Sequence, residues 1–95
     1  MNIIHEYVYK DKESSREAIG VLAAVPTKDG KVVGIGWSMC NKAANDKFDK
    51  KRGLSIAIGR ASKLSNAPIP RSLYRNYNKF VDRCGKYYKD KVIEV

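Results

Sequence analysis

Two apolar runs flank the segment Pro26-Thr27-Lys28-Asp29-Gly30. An Asp-Gly pair between such runs is a hairpin signal, because glycine takes the positive φ that the turn requires. Glu17–Val25 and Lys31–Cys40 are therefore expected to be antiparallel partners. Ile3–Tyr9 alternates and is rich in β-branched and aromatic residues, which makes it a further strand, with Ile3, His5, Tyr7 and Tyr9 on one face. The hairpin strands have unlike faces. Val33, Ile35, Trp37 and Met39 share one side, whereas Val32, Gly34, Gly36, Ser38 and Cys40 share the other. The preceding strand has a small-residue side of its own, Ala18, Gly20, Leu22 and Ala24. Alternate glycines in a strand mark a close backbone approach, and a helix packed tightly on that face is the reading preferred over a ligand platform. Gly34-Ile35-Gly36 has no third glycine and opens no helix, so it is not a dinucleotide-binding fingerprint.

The second half reads as helical. Asn45 or Asp46 can cap a first helix, with Asp49 in its first turn. Leu54, Ala57, Ile58, Ala61 and Leu64 form its apolar arc, and Lys51, Arg52, Ser55, Gly59, Ser62 and Lys63 lie opposite. Gly53 and Gly59 each lower helix propensity by roughly 1 kcal/mol against alanine and call for a packing or contact reason. Ser65–Ile69 is a break, and Pro70 suits the first turn of a second helix running to about Lys89. Its apolar stripe is Leu73, Tyr77, Phe80, Val81, Cys84 and Tyr88. Lys91–Val95 is left open between a short strand and a tail. The expected fold is α+β: a three-stranded antiparallel meander, with or without a short fourth strand, packed against two C-terminal helices in one domain, residues 1–95.

Several functional classes are excluded. The longest apolar run, Val21–Val25, is far short of the roughly 20 residues that a membrane-spanning helix needs, so no membrane partner is expected. Met1–Glu6 has no basic or apolar leader pattern, and the expectation is a cytoplasmic protein. One histidine, His5, and two distant cysteines, Cys40 and Cys84, do not have metal-ligand spacing. The cysteines are read as reduced, partly buried thiols. No serine or cysteine lies in a nucleophile motif, and no pair of carboxylates stands in an apolar context. An enzyme is not expected, nor a cofactor or metal.

Charge is the positive signal. The net charge is +9. Residues 1–41 carry five basic and five acidic side chains, so the whole excess lies in residues 42–95, with fourteen basic against five acidic. Clustered Lys and Arg steer polyanions and release counterions from them. The candidate contact residues are Lys42, Lys47, Lys50, Lys51 and Arg52 around the start of the first helix, Lys63 at its end, and a ladder of Arg71, Arg75 and Lys79 at i, i+4, i+8 on the second. Amide groups at a helix N-terminus add to such a site. The small residues Ser55, Gly59 and Ser62 leave room for a phosphodiester backbone between Arg52 and Lys63. Tyr74 and Tyr87 sit at the margins of the second apolar stripe, where stacking on a base is open to them. Trp37, among Val33, Ile35 and Met39, is expected in the core.

Gly34-Ile35-Gly36-Trp37-Ser38-Met39-Cys40-Asn41-Lys42, Asp46–Leu54 and Ile58-Gly59-Arg60-Ala61 resemble a group of small proteins encoded by tailed bacteriophages, over about 30 residues. The resemblance implies a phage protein made in a bacterial cytoplasm, often one that adjusts host processes, and it supplies no site residues. A looser likeness is to double-stranded-RNA-binding domains, which also run three antiparallel strands into a helix with a Lys-rich start. This chain lacks their N-terminal helix and has an extra C-terminal one. Two functions follow from the sequence. One is a non-catalytic binder of RNA or DNA with little sequence preference. The alternative is an inhibitor or adaptor whose basic face docks on an acidic surface of a host protein. The oligomeric state stays open.

Overall fold

A computed structural model describes residues 3–9, 18–39, 49–63 and 69–94. Strands β1 (Ile4–Tyr9), β2 (Ala18–Pro26) and β3 (Val32–Met39) form the expected antiparallel meander. Helix α1 (Lys50–Ser62) follows, then a 3-10 turn (Arg71–Leu73), helix α2 (Tyr74–Tyr87) and strand β4 (Val92–Glu94). The sheet order is β1-β2-β3-β4. β4 is the fourth strand left open above, and it pairs parallel to β3 through Val32–Val92, Val33–Ile93 and Gly34–Glu94. The parallel strand is one more departure from the double-stranded-RNA-binding likeness. The fold is α+β, and no helix among the described residues is long and apolar enough to cross a membrane.

The hairpin turn is built as its sequence requires. The Thr27 amide donates to the Val32 carbonyl at 2.8 Å and the Gly30 amide to the Thr27 carbonyl at 2.9 Å. Gly30 has φ +73°. The Asp29 carboxylate accepts from Thr27 Oγ1 at 2.5 Å and from the Lys31 amide at 3.0 Å, which holds its pKa below the ordinary value. The Lys91 ammonium donates to the Gly30 carbonyl and ties the approach to β4 to this turn.

Alternation along β2 sends its side chains to opposite faces, and one helix covers each. On the first face, Val21 and Ala23 meet Ala57 of α1, with Tyr7, Leu54 and Ile58 packed around them. On the second face, Leu22, Ala24, Val8 and Val33 meet Leu73, Phe80, Cys84 and Tyr88 from the α2 side. The glycine expectation holds at Gly36, which is buried against α1. A Cβ there would lie 2.0 Å from the Ala57 carbonyl oxygen and 2.5 Å from the Ala61 amide, so helix backbone rests directly on the strand. The small side of β2 serves the other helix. A Cβ on Gly20 would meet the Ser38 carbonyl at 2.8 Å and a Leu73 methyl at 3.4 Å.

Several boundaries differ from the sequence expectation, most of them by a residue or two. α1 begins at Lys50, because Asp49 has extended backbone and its carboxylate accepts from the Arg52 amide at 3.2 Å. Asp49 is thus the cap and not a first-turn residue; Asn45, Asp46, Cys40 and Leu64 lie outside the described residues. The second helix does not start as α-helix at Pro70. Pro70 is extended, and its carbonyl accepts from the Leu73 amide at 2.9 Å in an i to i+3 bond. Finally, β2 runs one residue further than expected, to Pro26.

Cys84 is a free thiol, fully buried under α2. Loss of hydration pushes its pKa up from 9.0 to about 11, and burial raises Tyr77 and Tyr88 above their ordinary 10.0 as well. All three stay neutral in the fold at a pH where the unfolded chain ionises them. The Cys84 contribution is fully present below pH 9.0 and is lost as pH rises through about 11, and that of the two tyrosines is fully present below pH 10.0 and is lost at higher pH. Thermal melts from pH 7 to 11 should show a falling Tm above pH 9. Cys84→Ala should flatten that fall by up to about 2 kcal/mol. A wild-type Tm constant to pH 11 would contradict the burial of these groups.

Candidate nucleic-acid interface

Helix α1 presents Lys50, Lys51, Arg52 and Lys63 as exposed side chains. At 100° per residue, Arg52, Ile56, Gly59 and Lys63 fall on one outward line, and 11 residues at 1.5 Å separate its two charged ends by about 17 Å. Gly59 lies between them with no heavy atom within 4 Å of where a Cβ would stand. Packing inside the protein does not account for this glycine, unlike the buried Gly53. Ile56, 39% exposed on the same line, escapes a sequence reading because a single exposed isoleucine has no pattern.

The helix N-terminus itself is less suited to phosphate than its sequence suggests. The Asp49 carboxylate takes the Arg52 amide and places a negative charge where an anion would sit. A phosphate at this end would meet the Lys51 and Arg52 side chains rather than the amides.

The second candidate group occupies the other side of the molecule. Arg71, Arg75 and Lys79 are exposed, but α2 packs on the opposite sheet face from α1. Arg71 belongs to the 3-10 turn, where residues advance about 120° rather than 100°, so it is displaced from the Arg75–Lys79 row. The structure thus splits the basic residues into two groups that point apart, and one rigid duplex cannot lie flat on both. Lys42 and Lys47 lie outside the described residues.

Among the described residues the sole ion pair joins Arg83 to Glu6 at 3.4 Å, with both side chains well exposed. None of the candidate residues described on either helix is in an ion pair with a described carboxylate. Arg60 is different. Its Nη1 donates to the Trp37 carbonyl at 2.9 Å, and its guanidinium lies 4.5 Å from the indole centroid. Trp37 sits on the α2 face and Arg60 on the α1 side, so the arginine reaches around β3 beyond the part that β4 covers. Trp37 packs against the core, the side expected for it, and is partly buried there. Tyr74 and Tyr87 are each 49% exposed at the two ends of α2, and Tyr87 meets Tyr88 edge-on at 4.8 Å.

A further cluster appears where β1 passes α1. The Lys50 ammonium lies 5.1 Å from the Tyr7 ring centroid and 5.9 Å from that of Tyr9. His5 meets Tyr7 edge-on at 5.4 Å. The alternation of β1 shows these three rings on one face, yet only the position of α1 over β2 and β3 reveals that His5 and Tyr9 stay uncovered. No group of three or more His, Cys, Asp or Glu among the described residues is placed to hold a metal ion. Comparison with protein families, with curated proteins and with solved structures returns no match.

Proposed function

We propose that the chain is a non-catalytic nucleic-acid-binding protein that meets phosphates along the outer side of α1, with little sequence preference. The observation that carries this reading is the line from Arg52 to Lys63: exposed, without a carboxylate partner among the described residues, and interrupted by a glycine open to solvent. Phosphate contacts supply most of the affinity of such binders and carry no sequence information. The phage resemblance fits a protein acting in a bacterial cytoplasm, where nucleic acid is abundant. Ile56 favours a second reading, docking on an acidic host protein, since an apolar side chain among cations is a common interface anchor.

Fluorescence anisotropy over a range of salt tests the proposal. Log K should fall against log salt with a slope of roughly −0.9 per phosphate contact on duplex or −0.7 on single strands. Replacing Lys51, Arg52 and Lys63 together with alanine should shallow the slope by up to about one per residue. The fold should tolerate this, because such surface changes usually stay within about ±0.5 kcal/mol each. Absence of binding at low salt would end the nucleic-acid reading. Unchanged affinity in the triple variant, with loss in an Arg71/Arg75/Lys79 variant, would move the site to α2.

A further inference from the structure

We infer that the uncovered α1-side face of β1 is a base-stacking platform that selects single-stranded over duplex nucleic acid; the inference rests on the binding function proposed above. His5 and Tyr9 are exposed, Tyr9 by 42%, and Tyr7 between them is held half-buried against the Val21, Ala23 and Ala57 cluster. Exposed aromatic rings interleaved with cations are the recurring means of holding bases without reading their edges. Lys50 supplies the cation, within 6 Å of two rings of the row. Lys51, next along the helix, is exposed and connects this corner to the Arg52–Lys63 line.

The spacing of the row chooses the strand state. Side chains two residues apart on one strand face start about 6.8 Å apart, twice the rise per residue, and here the His5 and Tyr7 ring centroids stand 5.4 Å apart, meeting edge-on. Stacked bases in a duplex strand advance only about 3.4 Å per step. Successive rings of the platform thus match successive bases only when those bases are unstacked from one another and turned out of any duplex. A single strand meets that condition at low cost, whereas a duplex must be opened first. A flexible strand can also bend from the platform onto the α1 line, which a rigid duplex cannot do.

The test compares a labelled 12-nucleotide poly-dT strand with a 12-base-pair duplex, over the same series of salt concentrations, for the full chain and for Tyr9→Ala, His5→Ala and Tyr9→Phe. The platform requires the wild type to bind the single strand more tightly than the duplex. Tyr9→Ala should weaken single-strand binding by about 5- to 100-fold, as expected for loss of one base–aromatic stack, while Tyr9→Phe keeps it. Duplex affinity should not change in any variant, and the single-strand salt slope should stay at its wild-type value because no cation is removed. His5→Ala provides the same comparison at the other end of the row, and circular dichroism melts establish that each variant is folded. Equal loss on both ligands, or no loss in either alanine variant, would overturn the platform and leave the phosphate-binding reading intact. Failure of the wild type to bind either ligand at low salt would remove the underlying reading as well.

Discussion

Gly36→Ala should cost about 3 kcal/mol or more, whereas Gly59→Ala on the helix above it should stabilise the protein by about 0.5–1 kcal/mol. At Gly36 the added Cβ would meet the Ala57 carbonyl at 2.0 Å and the Ala61 amide at 2.5 Å. Both atoms are helix backbone and cannot rotate away. Relief requires α1 to lift from the sheet, which uncovers Val21, Ala23 and Ala57 together. At Gly59 nothing lies within 4 Å, so alanine gains helix propensity without a clash. A chain of this length has roughly 5–14 kcal/mol of stability in all. The Gly36 change should lower Tm by 12 °C or more, and the Gly59 change should raise it by a few degrees. Urea denaturation of the two variants beside the wild type decides the matter. A Gly36→Ala protein as stable as wild type would mean that α1 does not sit on this strand.

Much of the fold can be read in the sequence because its signals are local. Asp29-Gly30 specifies the turn, alternation specifies the strand faces, and the apolar stripe from Leu73 to Tyr88 identifies the α2 side that meets the sheet. β4 is harder. Three residues carry too little pattern to name a partner, and its parallel pairing depends on where α2 ends relative to β3. The start of α1 differs for another reason: the sequence reading puts the cap at Asn45 or Asp46 and Asp49 in the first turn, whereas the extended backbone of Asp49 makes it the cap. The candidate residues divide in the same way. Exposure of Lys51, Arg52 and Lys63 follows from the helical wheel, but the separation of the α1 and α2 cations follows from which helix covers which face. The ring row on β1 gains its meaning only because no helix among the described residues lies above its ends.

Phe80→Ala and Trp37→Ala should differ in cost, although the sequence places both side chains in the interior. Phe80 is fully buried among Val8, Leu22, Val33 and Leu73, and its removal leaves a cavity lined by side chains from β1, β2 and β3 as well as the α2 side. The expected loss is about 3–5 kcal/mol, enough to unfold a large part of the population in a domain of this size. Trp37 has one side on the same cluster, but the Arg60 guanidinium covers its ring at 4.5 Å and it keeps partial contact with solvent. Its truncation should therefore cost less, about 1–3 kcal/mol, made up of partial apolar burial and the cation–π contact. A double-mutant cycle with Arg60→Ala isolates the second part. The hydrogen bond from Arg60 to the Trp37 carbonyl survives when only the indole is removed, so the coupling energy reports the ring contact, about 0.5–2 kcal/mol. Chemical denaturation of the two single variants and the double variant supplies every value needed. A Trp37→Ala loss equal to or greater than that of Phe80→Ala would place the centre of the core on β3 instead of beneath α2.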